Sequence, residues 1–219
     1  MPQHFEPSKG GNTVQVLQVE QTVQWMDKTN TKIQENKEYL TTLDQAIGDG
    51  DHGINISRGF QEVMNKVSGQ AYEHVADVMK DVAMTLMSKV GGAAGPLYGT
   101  AFLKLSMTFK GQDVDYALFS QGIEDALNGV KQRGKSDTGE KTLVDVWSAV
   151  SERLKQEEKF DGSVLEETAR TAMENTKDTL ATKGRAAYLK ERSIGHLDPG
   201  SVSSFYLFEA FAEVINEGE

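Results

Sequence analysis

With 219 residues, 38% of them hydrophobic, the chain is long enough to close a core and has the size of one large domain. Its formal net charge of -10 excludes nucleic acid and anionic membrane as partners, because no basic surplus exists to displace counterions; any phosphate ligand must be met locally. Lack of cysteine removes disulfides, thiolate metal sites and thiol nucleophiles, and no basic leader with an apolar run is present, so the sequence reads as a soluble cytoplasmic protein.

Residues 1–12 hold Pro2, Pro7 and the Gly10-Gly11 pair without periodicity, and read as a disordered extension or a cloning remnant; residues 13–219 read as a single helical domain. Apolar residues then recur at helical spacing in Val16, Val19, Val23 and Met26. The stretch "NKEYLTTLDQAIG" (36–48) is helical up to the break imposed by Gly48 and Gly50, and a new periodic stretch starts at His52. Val75, Met79, Val82, Leu86 and Val90 form the next helix face. After "VGGAAGPLYG" (90–99), Pro96 fits the first position of a further helix. In "GEKTLVDVW" (139–147), Lys141 and Thr142 precede an apolar helix and read either as a cap with a solvated lysine or as a lip touching a ligand. "KQEEK" (155–159) is a solvated face. Ser201, after the turn "DPG" (198–200), is a candidate cap for a last helix carrying Phe205, Phe208, Phe211 and Ile215. Period-2 runs are missing, so the fold class is all-α.

The segment "GDGDHG" (48–53) matches G-x-G-x-x-G, the dinucleotide fingerprint. That fingerprint needs a preceding buried strand and no competing negative charge, whereas here Asp49 and Asp51 would repel a bare phosphate. With Asp44 in the last turns of the preceding helix, three carboxylates collect at the negative end of a helix dipole, which calls for a cation. All-oxygen ligands with room for water suit Mg2+. An EF-hand calcium loop fits less well, since Gly53 falls where Asp or Asn is wanted and Phe60 where the bidentate Glu should be. Beyond the carboxylates, His52 opens a helix whose first amides, at Gly53, Ile54 and Asn55, form a positive end suited to phosphate oxygens. The loop at 90–99 and the segment 183–200, with Arg185 and Arg192, read either as helix connections or as further phosphate contacts.

Taken together, "QTVQWMDK" (21–28), "LDQAIGDGDHGINISRGF", "GGAAGPLYGTAF", "GEKTLVD" and "TKGRAAYLKERSIGHLDPGSVS" resemble the nucleotide-binding L subunits of dihydroxyacetone kinases, in order and over nearly the whole chain. The resemblance implies a barrel of antiparallel amphipathic helices whose loops at one end hold ADP through two Mg2+ ions. It assigns Asp44, Asp49 and Asp51 to the metal. To the nucleotide it assigns His52, Gly53, Ile54, Asn55, Ala93, Ala94, Gly134, Leu143, Arg185, Asp198, Pro199 and Gly200, with Arg192 an alternative to Arg185. Three residues depart from the family pattern: Ala94 stands where Ser is expected, Leu143 where Met is, and Glu140 where Asp is common. No catalytic base or covalent nucleophile is assigned to this chain.

In the phosphotransferase-system form of these enzymes, ADP stays bound as a coenzyme. It becomes ATP transiently on accepting a phosphoryl group from a phosphohistidine of the M subunit, and passes that group to dihydroxyacetone on the K subunit. The length of this chain, an L module alone, favours that form over the ATP-dependent one. A homodimer is compatible with it. Three other readings stay open at this level: the L component of an ATP-dependent kinase, a metal-dependent phosphohydrolase, and a non-catalytic ADP-sensing module.

Overall fold

The computed structural model describes residues 16–217; the extension read at 1–12 lies outside them. Among the described residues nine α-helices follow one another: α1 Val19–Glu35, α2 Lys37–Ile47, α3 His52–Val67, α4 Val75–Lys89, α5 Ala94–Phe109, α6 Tyr116–Gly134, α7 Leu143–Gln156, α8 Gly162–Asn175 and α9 Pro199–Glu217. A kinked 3-10 segment, Arg185–Ser193, lies between α8 and α9. Among the described residues the only β pairing is an isolated antiparallel bridge between Leu17 and Val114, so the all-α expectation holds. No helix among them is long and apolar enough to cross a membrane.

Helix neighbours close on themselves: α1 packs on α3, α3 on α4, and so on through α5, α6, α7 and α8 to α9, which returns to α1; α2 leans on α3 and α9. A ring of amphipathic helices buries one stripe from each, as in a barrel-like bundle. Its filling is aromatic. Trp25 of α1 meets Phe211 of α9 at 4.7 Å between ring centroids, and Phe211 stacks on Phe119 of α6 at 4.5 Å. The Trp25 indole N–H donates to the Leu207 carbonyl at 2.8 Å, so the polar end of this buried ring is satisfied. Helix α9 is buried along most of its length, consistent with a sequence that is apolar nearly all round. On the outer side, Lys28 and Lys32 of α1 pair with Glu209, Glu213 and Glu217 of α9.

Two helix starts differ from the sequence expectation. Helix α5 begins at Ala94, so Pro96 sits within the first turn, at a position whose N–H has no intrahelical partner anyway. At α9, Asp198 rather than Ser201 is the cap. The Asp198 carboxylate accepts the Ser201 N–H at 2.6 Å, Pro199 takes the first helical position, and the Ser201 hydroxyl donates to the Thr142 carbonyl instead.

Candidate functional site

Helix α2 ends at Ile47 because Gly48 and then Gly50, at φ +76°, leave helical geometry. The chain turns and re-enters a helix at His52. Asp44 is buried, and its Oδ2 accepts the backbone N–H groups of Asp51 (2.8 Å) and His52 (3.0 Å), fixing the loop and capping α3 from outside. Asp51 occupies the N-cap position yet makes no capping bond, which leaves its carboxylate uncommitted. Carboxylate oxygens of Asp44, Asp49 and Asp51 lie within 4.8 Å of one another. Three hard oxygen donors, one uncommitted, fit a divalent cation of the Mg2+ kind.

Around these carboxylates lies a hollow of about 170 Å³, edged by His52 and Asn55 of α3, Ala93 and Ala94, and Arg185 and Asp198. In the second loop, a Cβ at Gly91 would come within 2.9 Å of Asn55 Oδ1, so a larger residue there would have to displace that side chain. Gly92, at φ +65°, turns the chain toward α5. The His52 Nε2 faces the Ser203 hydroxyl at 2.9 Å, and Ser203 in turn meets Tyr98 at 2.7 Å. Burial holds His52 below its ordinary pKa, with Asp44 and Asp51 opposing. Burial pushes Asp198 up to about 7; the bonds from Ser201 pull it down, Asp145 raises it and Lys141 lowers it.

A second hollow of about 400 Å³ adjoins the first across Ala93, with Pro96, Leu97, Gly134 and Thr142 on its walls. These small and apolar groups suit a flat aromatic ring.

Most of the residues expected from the sequence converge. Asp44, Asp49, Asp51, His52, Asn55, Ala93, Ala94, Arg185, Asp198 and Pro199 line the first hollow, and Gly134 lines the second. The structure separates the two arginines: Arg185 lines the hollow with its Nη2 at 2.8 Å from Asp49 Oδ2, whereas Arg192 is exposed and lines neither. Four expected residues sit outside the walls. Gly53 is buried where a Cβ would strike the Lys37 carbonyl at 2.3 Å, so it serves the contact of α3 with α2. Ile54 is 48% exposed, and Leu143 belongs to the core. Gly200 offers its carbonyl to Tyr98.

Lys141 departs most from the sequence reading. It is not solvated: it is 1% exposed and lies on the inner wall of the first hollow with its ammonium turned to backbone carbonyls, while Thr142 caps α7 and Asp145 completes a capping box. Nothing local in the sequence marks this burial, since the carbonyls that receive the ammonium come from the segment between α8 and α9.

Comparison with known proteins fits this geometry. Residues 46–213 match the DAK2 domain family. The chain is 48% identical over 191 residues to the PEP-dependent dihydroxyacetone kinase 1 ADP-binding subunit DhaL of Listeria innocua, covering 87% of this chain and 94% of that protein. It belongs to the DhaL family. Another member, the PTS-dependent dihydroxyacetone kinase ADP-binding subunit DhaL of Lactococcus lactis, is 47% identical, over 91% of this chain and all of its own length. The family's fold is seen in the dihydroxyacetone kinase of C. freundii, where the native crystal structure superposes with a TM-score of 0.73 at 19% identity, covering 97% of this chain. The present chain spans 38% of that larger one. The same enzyme in complex with AMP-PNP and Mg2+ gives 0.71. As a DhaL protein, the chain has the all-α fold and the enzyme class expected from its motifs.

Proposed function

We propose that this DhaL protein is the cytoplasmic coenzyme-bearing subunit of a PEP-dependent dihydroxyacetone kinase, with 13–219 as its one functional domain. It would hold ADP through two Mg2+ and work with a K subunit that binds dihydroxyacetone and an M subunit that carries the phosphohistidine. The observation that carries this reading is the convergence of three aspartates, the start of α3 and the Ala93–Ala94 turn on one hollow beside an apolar one. Names of the family relatives, and the nucleotide analogue with Mg2+ bound in the C. freundii enzyme, support it.

Asp44, Asp49 and Asp51 would hold the metal, which would supply positive charge against the nucleotide phosphates. Amides at the start of α3 and at Ala93 and Ala94 would orient phosphate oxygens, while Arg185 balances charge from the opposite side. ADP held there would supply the phosphate that accepts a phosphoryl group from the phosphohistidine, for passage onward to the dihydroxyacetone hydroxyl. The role of the chain is therefore positioning and charge balance, in line with the demands of in-line phosphoryl transfer.

The test loads the protein with ADP and mixes it with M subunit carrying a radiolabelled phosphohistidine, then with K subunit and dihydroxyacetone, with no free ATP present. Label should appear first in the bound nucleotide and then in dihydroxyacetone phosphate. Dependence on added ATP, or release of label as inorganic phosphate by the chain alone, would contradict the reading.

A further inference from the structure

The chain between α8 and α9 leaves the bundle after Asn175 and returns at Pro199. This excursion carries Arg185 to Asp49. Beyond that ion pair, its tip is held by a small cluster of Ala181 and Ala186 on Ile47, separate from the main core, by the Ala181 N–H donating to the buried Ser193 hydroxyl at 3.0 Å, and by the Thr182 N–H donating to the Glu140 carbonyl at 3.4 Å. Gly184 and Gly195 lie at positive φ on either side of the 3-10 segment. Few buried apolar contacts and glycine turns are the marks of a segment that opens at low cost.

Its base is different. Lys141 Nζ lies 2.5 Å from the Thr176 carbonyl, 3.1 Å from that of Thr179 and 2.6 Å from that of His196. The first two belong to the outgoing limb and the third to the returning limb, so one ammonium bridges both. Its three N–H donors are all spent, and the Gly195 N–H to Lys177 carbonyl bond of 2.7 Å closes the same neck. Lys141 itself has φ +60°, a left-handed backbone that a non-glycine residue rarely adopts, and such outliers persist where the surroundings over-determine them. Burial holds this lysine below its ordinary pKa, while Asp198, Asp178 and Asp145 favour its charged form.

We propose that Lys141 is a positioning residue: by tying the two limbs of the 176–198 excursion together through their carbonyls, its side chain holds Arg185 over the aspartate site and so sets how long the nucleotide stays. The proposal rests on the ADP reading for the nucleotide, but the clamp itself is testable without it.

The experiment compares the full chain with Lys141→Met, Arg185→Ala and the double variant. Without nucleotide, Lys141→Met should be cut by trypsin at Lys183, Arg185 or Lys190 about tenfold faster than the parent, and the double variant should likewise be cut at Lys183 or Lys190 about tenfold faster than Arg185→Ala alone. With labelled ADP and Mg2+, each single variant should release nucleotide about tenfold faster. The double variant should stay within about twofold of Arg185→Ala, because Lys141 acts through Arg185. Unchanged cleavage in Lys141→Met, or release effects that multiply, would overturn the proposal. Should Lys141→Met not fold, hydrogen exchange on the parent decides: the Gly195 amide should exchange at least about a hundredfold more slowly than the Lys183 amide, and equal rates would overturn the clamp. A parent that binds no ADP would sink the coenzyme reading and leave the cleavage and exchange results to judge the clamp.

Discussion

Arg185 meets Asp49 at 2.8 Å, so a residue from the far end of the chain sits on one of the three carboxylates gathered by the α2–α3 loop. The Arg185 side chain is 66% exposed, and an ion pair at such a site contributes about 0–1 kcal/mol to folding. Arg185→Ala should therefore leave the unfolding midpoint nearly unchanged while weakening ADP binding by about 1.5–3 kcal/mol, the range for hydrogen bonds to charged groups. Calorimetric titration alongside thermal unfolding separates the two effects.

Asp51 and Asp44 should behave differently when neutralised. Asp51 makes no capping bond, so Asp51→Asn should fold normally, gain about 0.5 kcal/mol in metal-free buffer from reduced carboxylate repulsion, and lose the stabilisation that Mg2+ confers on the parent. Asp44 is buried and accepts two N–H groups, so Asp44→Ala should cost about 2–3 kcal/mol even without metal. Urea unfolding with and without Mg2+ checks both.

Gly53 tests what a glycine in a phosphate-like motif is for. Since a Cβ there would strike the Lys37 carbonyl at 2.3 Å, Gly53→Ala should destabilise the fold by about 2–3 kcal/mol whether or not nucleotide is present. A stable variant with weakened ADP binding would instead assign Gly53 to the phosphates.

Asp198 gives stability a pH signature. Its folded pKa of about 7 lies above the ordinary carboxylate value, so the folded state holds the proton more tightly than the unfolded chain. The contribution is complete below about pH 4 and is lost as pH rises through 7. Asp198→Asn keeps an N-cap acceptor without the titration. In nucleotide-free, metal-free protein, its stability relative to the parent should therefore rise between pH 5 and pH 8, as read from urea midpoints at both values. A pH-independent difference would contradict the cause assigned to the shift.

Ala94 leaves room for a repair. It is half-buried on the wall of the hollow, and Ala94→Ser would add a hydroxyl there. A new hydrogen bond worth about 1 kcal/mol should tighten ADP binding about fivefold. Competition with labelled ADP measures it.

How legible each part was depends on how local its cause is. The helix faces and the aspartate loop could be read because their signals are contiguous: Val75 to Val90 keep one period, and Asp44, Asp49 and Asp51 flank the glycines that end α2. The α9 cap was misplaced by three residues because Asp198 and Ser201 are both good cap formers, and only the fixed φ of Pro199 favours Asp198. Arg185 could not be told from Arg192, since the kink at Lys190 that sends them apart leaves no local pattern. Lys141 was the least legible. Surface exposure is the default for lysine, and the carbonyls that reverse it lie 35 to 55 residues away along the chain.

The central claim, ADP held as a coenzyme through metal on Asp44, Asp49 and Asp51, is tested most directly by the nucleotide content of the purified protein. Protein dialysed with Mg2+ and with a chelator would be denatured and its nucleotides separated by chromatography. Near-stoichiometric ADP that survives dialysis with Mg2+ and leaves with the chelator is the predicted result. Protein that carries no ADP and takes up none when Mg2+ and ADP are supplied would contradict it.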